Sequence, residues 1–91
     1  MNIYLLTQNT NTGYDTFDSC VVAAPDEATA RTLHPRGGRN WNGRAWAWSD
    51  GTLGYAREFE WTDPDNVTVK HVGTALADQS VGVICASYNA G

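Results

Sequence analysis

Cysteine, histidine and proline are scarce in this chain of 91 residues, which holds two, two and three of them. Cys20, His34, His71 and Cys85 are the candidate soft metal ligands, and no two of them are close in sequence. Structural zinc sites bring ligands about two to five residues apart, so no metal is expected. Long hydrophobic runs are missing as well. The apolar stretch Ile3-Tyr4-Leu5-Leu6 has no basic leader and is too short for a signal peptide or a membrane span. The expected setting is intracellular and reducing, with Cys20 and Cys85 as buried thiols and not a disulfide. Asn66-Val67-Thr68 matches a glycosylation acceptor, which carries no meaning in that setting.

Charge is sparse and unbalanced: six basic residues face ten acidic ones, for a formal net charge of −4. A general nucleic-acid binder draws its affinity from neutralising phosphates, so nucleic acid is not an expected partner. The acids are scattered with no run of like charge, too dispersed for a nucleic-acid mimic. No nucleophile elbow, phosphate loop or dinucleotide fingerprint occurs, so no cofactor is expected and no catalytic residue is assigned. Asp15 and Asp18 fall three residues apart on a strand and hence on opposite faces. Asp15 reads as a turn carboxylate bonding backbone amides. His34 reads as the end of a helix, where the negative dipole end would stabilise it.

Hydrophobic residues at 42% and aromatics at 11% suffice for one small core. Residues 3–8 read as a strand, and 9–13 as an Asn/Gly loop. A second strand spans about 16–23, with Phe17, Ser19, Val21 and Ala23 on one face and Asp18, Cys20, Val22 and Ala24 on the other. Both faces turn apolar, which places this strand inside a sheet. Pro25-Asp26-Glu27 opens a helix of about ten residues, with proline in the first turn and Pro35 as its stop. Residues 36–42 read as a loop. Residues 44–49 and 55–61, bounded by Asn42-Gly43 and Asp50-Gly51, read as a hairpin. Strands at 66–72 and 81–88 complete a ββαββββ order. The expected fold is α+β: a curled, mainly antiparallel sheet of five to six strands with one short helix. The whole chain, 1–91, reads as a single domain with a Gly/Arg/Trp-rich insertion at about 36–61.

That insertion is the strongest functional signal. Four of the six basic residues (Arg31, Arg36, Arg39, Arg44) lie between 31 and 44, with Trp41, Trp46 and Trp48 beside them. Arg and Trp are over-represented at interface hot spots, because each joins a large contact area to a directional polar group. Glycine around planar cations and rings also suits a nucleotide. Arg39, Trp41, Arg44, Trp46 and Trp48 are therefore the candidate binding residues. Trp46 and Trp48 also fit as packing against Tyr55, Phe59 or Trp61 across a hairpin. Trp41 and Arg39, placed in the loop, fit contact better.

Tyr4-Leu5-Leu6-Thr7-Gln8, Gly13-Tyr14-Asp15-Thr16-Phe17-Asp18-Ser19 running into Val21-Val22, Ala30-Arg31 with His34-Pro35, and Gly82-Val83-Ile84, Ala86-Ser87 and Asn89-Ala90-Gly91 form a recurring set. In these pieces the chain resembles a group of small uncharacterised tailed-bacteriophage proteins. Residues 36–61 have no counterpart in that likeness, and Cys20 stands where a small aliphatic residue is expected. The resemblance implies a phage accessory protein in the cytoplasm of an infected bacterium, one that binds and inhibits a host macromolecule such as an antiviral defence component. A module sequestering a nucleotide signal is the alternative reading. A small hydrolase using Asp15, Asp18 or His34 is a third, which needs those side chains to converge. Self-association is open as well, since strand edges and aromatics invite it.

Overall fold

The computed structural model describes residues 1–48 and 60–89. Its architecture is α+β, mostly antiparallel sheet with one short helix. Strands β1 (Asn2–Thr7), β2 (Thr16–Ala24), β5 (Thr68–Thr74) and β6 (Gly82–Asn89) form a four-stranded sheet in the order β5-β1-β2-β6. Helix α1 (Glu27–Arg31) follows β2. A small two-stranded sheet of β3 (Arg39–Trp41) and β4 (Trp46–Trp48) stands apart.

β2 lies inside the sheet, between β1 and β6, as its apolar character on both faces implies. Its face pattern differs from plain alternation. The β2–β6 register slips between Phe17 and Ser19. That bulge leaves Asp18 exposed and turns Phe17 to the same core as Cys20, Val22 and Ala24. Tyr4, Leu6, Ala30, Trp61 and Val67 complete this core, with Leu33, Trp46, Val69 and Val83 packed around it.

The loop joining β1 to β2 is organised by a residue the sequence does not single out. Gln8 is buried, and its Oε1 accepts from the backbone N–H groups of Thr10 and Asn11, each at 2.9 Å. Its Nε2 donates to the carbonyls of Asn11 and Phe17, each at 2.7 Å. One amide thus closes four hydrogen bonds to the backbone of the loop and of β2.

The helix is shorter than its sequence suggests. Asp26 is the N-cap and not a first-turn residue: its Oδ1 accepts from Thr29 N at 2.7 Å. Those hydrogen bonds hold the Asp26 carboxyl below its ordinary pKa. Pro25 therefore precedes the helix. At the other end Leu33 is drawn into a β-bridge with Asn40, which stops the helix before His34 and Pro35. Packing holds so short a helix. Ala30 is fully buried, and the Arg31 guanidinium donates to the carbonyls of Pro64 at 2.9 Å and Val67 at 2.5 Å. Arg31 is thus a structural tie to the 3-10 turn Pro64–Asn66.

Residues 36–42, expected as loop, contain strand β3. The expected strand at 55–61 falls largely outside the described residues, and its last two residues, Glu60 and Trp61, are not in a strand. Both are fully buried. Trp61→Ala is expected to cost about 3–5 kcal/mol in urea unfolding, the usual loss for emptying a buried aromatic site. Asp26→Ala is expected to cost about 1 kcal/mol, the usual value of an N-cap.

Candidate functional site

The β3–β4 hairpin carries every candidate binding residue except Arg44, which sits in its turn. Asn42 shapes that turn: its Oδ1 accepts from the N–H groups of Arg44 and Ala45, each at 2.9 Å. Gly43 supplies the positive φ of 95° the reversal needs. The register pairs Arg39 with Trp48, Asn40 with Ala47 and Trp41 with Trp46. Strand alternation then gathers Arg39, Trp41, Trp46 and Trp48 on one face, as two adjacent cross-strand pairs.

Each pair is in contact. The Trp41 and Trp46 rings meet edge to face, with centroids 5.3 Å apart. The Arg39 guanidinium lies 4.0 Å from the Trp48 ring centroid, a cation–π distance. The two pairs differ in depth. Trp46 is half-buried, donates Nε1–H to the Thr62 carbonyl at 2.9 Å and packs on the core. Trp48 is 43% exposed. Trp46 is thus the packing tryptophan and Trp48 the surface one, although their matching position in the sequence suggests one role for both. Arg39 and Trp41 belong to a strand instead of a loop, and both are half-buried. Arg39 Nη1 is enclosed with no hydrogen-bond partner among the described residues, where the Trp48 ring is the visible support of that guanidinium.

At the turn end, Trp41, Arg44, Ala45, Trp46 and Asp63 line a cleft of about 80 Å³. Arg44 and Asp63 are exposed at its rim.

Beneath the hairpin lies a second layer. His34 is buried, with its ring edge-on to Trp46 at 5.1 Å and to Phe17 at 6.3 Å. Its Nδ1 accepts from Arg36 N at 3.1 Å, which requires the neutral ring. Burial, then the charges of Arg39 and Arg36, push its pKa down to about 3. His34 is therefore not a cation at a helix end: the helix stops at Arg31, and two arginines flank the ring. Next to it, Arg36 Nε donates to Glu60 at 3.1 Å, and its Nη2 closes a second bond to the same carboxylate. The Arg36 guanidinium lies 5.3 Å from the Phe17 ring centroid and 5.6 Å from that of Tyr88. Hydrogen bonding to Glu60 raises its pKa further above the ordinary arginine value. Arg36 and Glu60 stand twenty-four residues apart in sequence, and nothing in the spacing announces the pair.

Among the described residues no hydrogen bond joins Asp15, Asp18 and His34 to one another. Asp15 adopts φ 61°, and its carboxylate accepts from the Tyr88 hydroxyl at 3.3 Å and, among the described residues, from no backbone amide. Asp18 sits exposed at the β2 bulge beside Ser19. His34 is enclosed and a poor base at pKa about 3. Among the described residues no three His, Cys, Asp or Glu side chains are grouped to hold a metal. Both cysteines are free. Cys20 is buried, with its thiol pushed up to about 12 by burial and then by Cys85. Cys85 is exposed, because β6 lies at the rim of the sheet where burial was expected. No helix among the described residues is long and apolar enough to cross a membrane. No protein-family model matches the chain, and no curated protein or solved structure matches it.

Two stability measurements check this layer. His34 is neutral when folded but takes a proton below about pH 6.5 when unfolded, so the unfolded state binds more protons from there down to about pH 3. Stability is expected to fall across that window by a few kcal/mol, and His34→Asn, which keeps an acceptor, should flatten the slope in urea titrations. Arg36→Ala strands the buried Glu60 carboxylate and is expected to cost about 3–5 kcal/mol. Arg36→Met combined with Glu60→Leu should recover most of that loss.

Proposed function

We propose that this protein is a binding module rather than a catalyst, and that the β3–β4 hairpin is the surface with which it grips a protein partner. In the phage setting that the sequence resemblance implies, the partner is a macromolecule of the infected host cell, and blocking an antiviral defence component is the role that suits such an accessory protein. The observation that carries the reading is the gathering of Arg39, Trp41, Trp46 and Trp48 on one hairpin face, with Arg44 at its turn.

Two physical features support it. Tryptophan and arginine supply most of the energy of protein interfaces when they are centrally placed and held still. The base of this face is held, because Trp46 is anchored to Thr62 and braced by His34, so Trp46 itself has little side-chain freedom to lose on binding. Exposed Trp48 and Arg44 offer the contact area and the directional charge.

The cleft formed by the described residues does not favour the nucleotide alternative. The cleft holds about 80 Å³, whereas pockets that enclose a small-molecule ligand run from about 300 to 1,000 Å³. A base could stack on Trp48 but would not be enclosed at the Trp41–Trp46 cleft. Mass spectrometry of small molecules released from the purified protein separates the two readings, since stoichiometric nucleotide would favour sequestration.

The test of the hairpin is a capture experiment from bacterial host lysate, with wild type beside Trp41→Ala/Arg44→Ala. Trp41 packs edge to face on Trp46, so circular dichroism and urea unfolding are used to show that the double variant keeps its fold, and Arg44→Ala alone, at an exposed residue, is the control that leaves that packing in place. The wild type is expected to recover a discrete partner that the double variant loses. Two hot-spot truncations at about 2 kcal/mol each would weaken binding roughly a thousandfold. Equal recovery by both proteins assigns the contact elsewhere.

A further inference from the structure

Seven asparagines occur in this chain, and Asn42 alone is followed by glycine. Asn42 and Gly43 are both exposed in the turn between β3 and β4. The Asn42 side-chain atom held by the Arg44 and Ala45 N–H groups, each at 2.9 Å, must be the oxygen, because both donors are backbone amides. Nδ2 is therefore turned away from them, and among the described residues it has no partner. The Gly43 N–H has no acceptor there either. A Cβ at Gly43 would meet nothing within 4 Å, so the space around this amide is open.

We propose that Asn42 is a site of spontaneous covalent modification, at which the Gly43 amide nitrogen closes on the Asn42 side chain and converts it to aspartate and isoaspartate. Gly43 N loses its proton to solvent and forms a bond to Asn42 Cγ, and the carbonyl electron pair moves onto Oδ1. Two fixed N–H donors at about 2.7–3.1 Å are the arrangement that stabilises such an oxyanion, and Arg44 and Ala45 supply them. When the pair returns, the Cγ–Nδ2 bond breaks, and Nδ2 takes a proton from water and leaves as ammonia. Water then opens the cyclic imide. Attack at Cγ gives aspartate, and attack at the main-chain carbonyl gives isoaspartate. Nothing is oxidised or reduced, and water is the only co-reactant. Glycine suits the attacking position because it brings no Cβ to crowd the approach.

The two products act differently on the hairpin. Aspartate keeps the length of the backbone and an oxygen that can accept from Arg44 and Ala45. Isoaspartate inserts one methylene into the main chain between residues 42 and 43. The turn is closed by Asn42 N donating to the Ala45 carbonyl at 3.1 Å, directly beside the Trp41–Trp46 pair, and the longer path breaks that closure. Both products add a negative charge beside the cleft that Asp63 also lines. On the reading that this hairpin is the contact surface, the modification sets a lifetime on binding.

Peptide mass spectrometry on the folded full chain, sampled over time in mildly acidic and mildly alkaline buffer, tests the site. Fragment spectra of the tryptic peptide 40–44 separate Asn42 from Asn40 and isoaspartate from aspartate. Product is expected at Asn42 at least about tenfold faster than at any other asparagine, and faster in the alkaline buffer. The rate in the folded chain should match or exceed that in a free peptide of residues 39–46. A folded chain that reacts more slowly than this peptide overturns the proposal, because the turn then protects Asn42. Equal rates at several asparagines overturn it as well. The effect on the hairpin is read by the exciton signal of the Trp41–Trp46 pair in circular dichroism, which should fade as isoaspartate accumulates and persist in Asn42→Asp. Its persistence in the aged wild type, or its loss in Asn42→Asp, overturns that effect. None of these measurements involves a partner, so the site stands or falls separately from the proposed function.

Discussion

Glu60 is a fully buried carboxylate, and the position of the hairpin depends on how it is neutralised. An isolated charge in that place would cost several kcal/mol. Arg36 meets it with a two-point contact while lying over Phe17 and Tyr88, which ties the segment after the helix to the aromatic end of the sheet. Gly37 and Gly38 then reverse the chain with φ of 72° and 63°, and β3 begins at Arg39. Such a pair adds little net stability over an apolar pair of the same shape, so its value here is placement. With Arg36 fixed, its backbone N–H holds His34, and His34 meets Trp46 edge-on.

This arrangement separates two jobs within one aromatic cluster. Phe17, His34 and Trp46 form a run of edge contacts that belongs to the interior. Trp41, Trp48, Arg39 and Arg44 sit one step further out, half-buried or exposed. A packed inner row under an accessible outer row is a sound base for recognition, because Trp46 holds the Trp41 ring and Trp48 holds the Arg39 guanidinium before any encounter. The same rigidity argues against acid–base chemistry at His34, whose ring is neutral, hydrogen-bonded and flanked by two arginines.

The strand and helix order was legible in the sequence because those segments follow local rules. Short apolar or alternating runs marked β1, β2, β5 and β6, and Asp26 with Glu27 marked the helix start. What was not legible is non-local. Phe17 changes face through a bulge set by pairing with β6. The helix stops early because Leu33 bridges Asn40. Arg39–Trp41 is a strand only because Trp46–Trp48 lies beside it. The five candidate residues were found together on composition alone, yet their depth order was not. Trp46 and Trp48 share a parity and a neighbourhood in sequence, and only the Thr62 carbonyl and the His34 ring distinguish them. The buried roles of Glu60 and Gln8 carried no local signal, since a lone acid and a lone amide look like solvated residues until the fold encloses them.

The division between inner and outer tryptophans is read most directly by the hydrogen exchange of the four indole N–H groups, followed by NMR in the native state. The Trp61 indole is fully buried and the Trp46 indole is bonded to Thr62, so both should exchange slowly, while that of exposed Trp48 should exchange fast. Fast exchange at Trp46 would mean that the hairpin is not anchored to the core. Slow exchange at Trp48 would mean that the proposed contact face is closed.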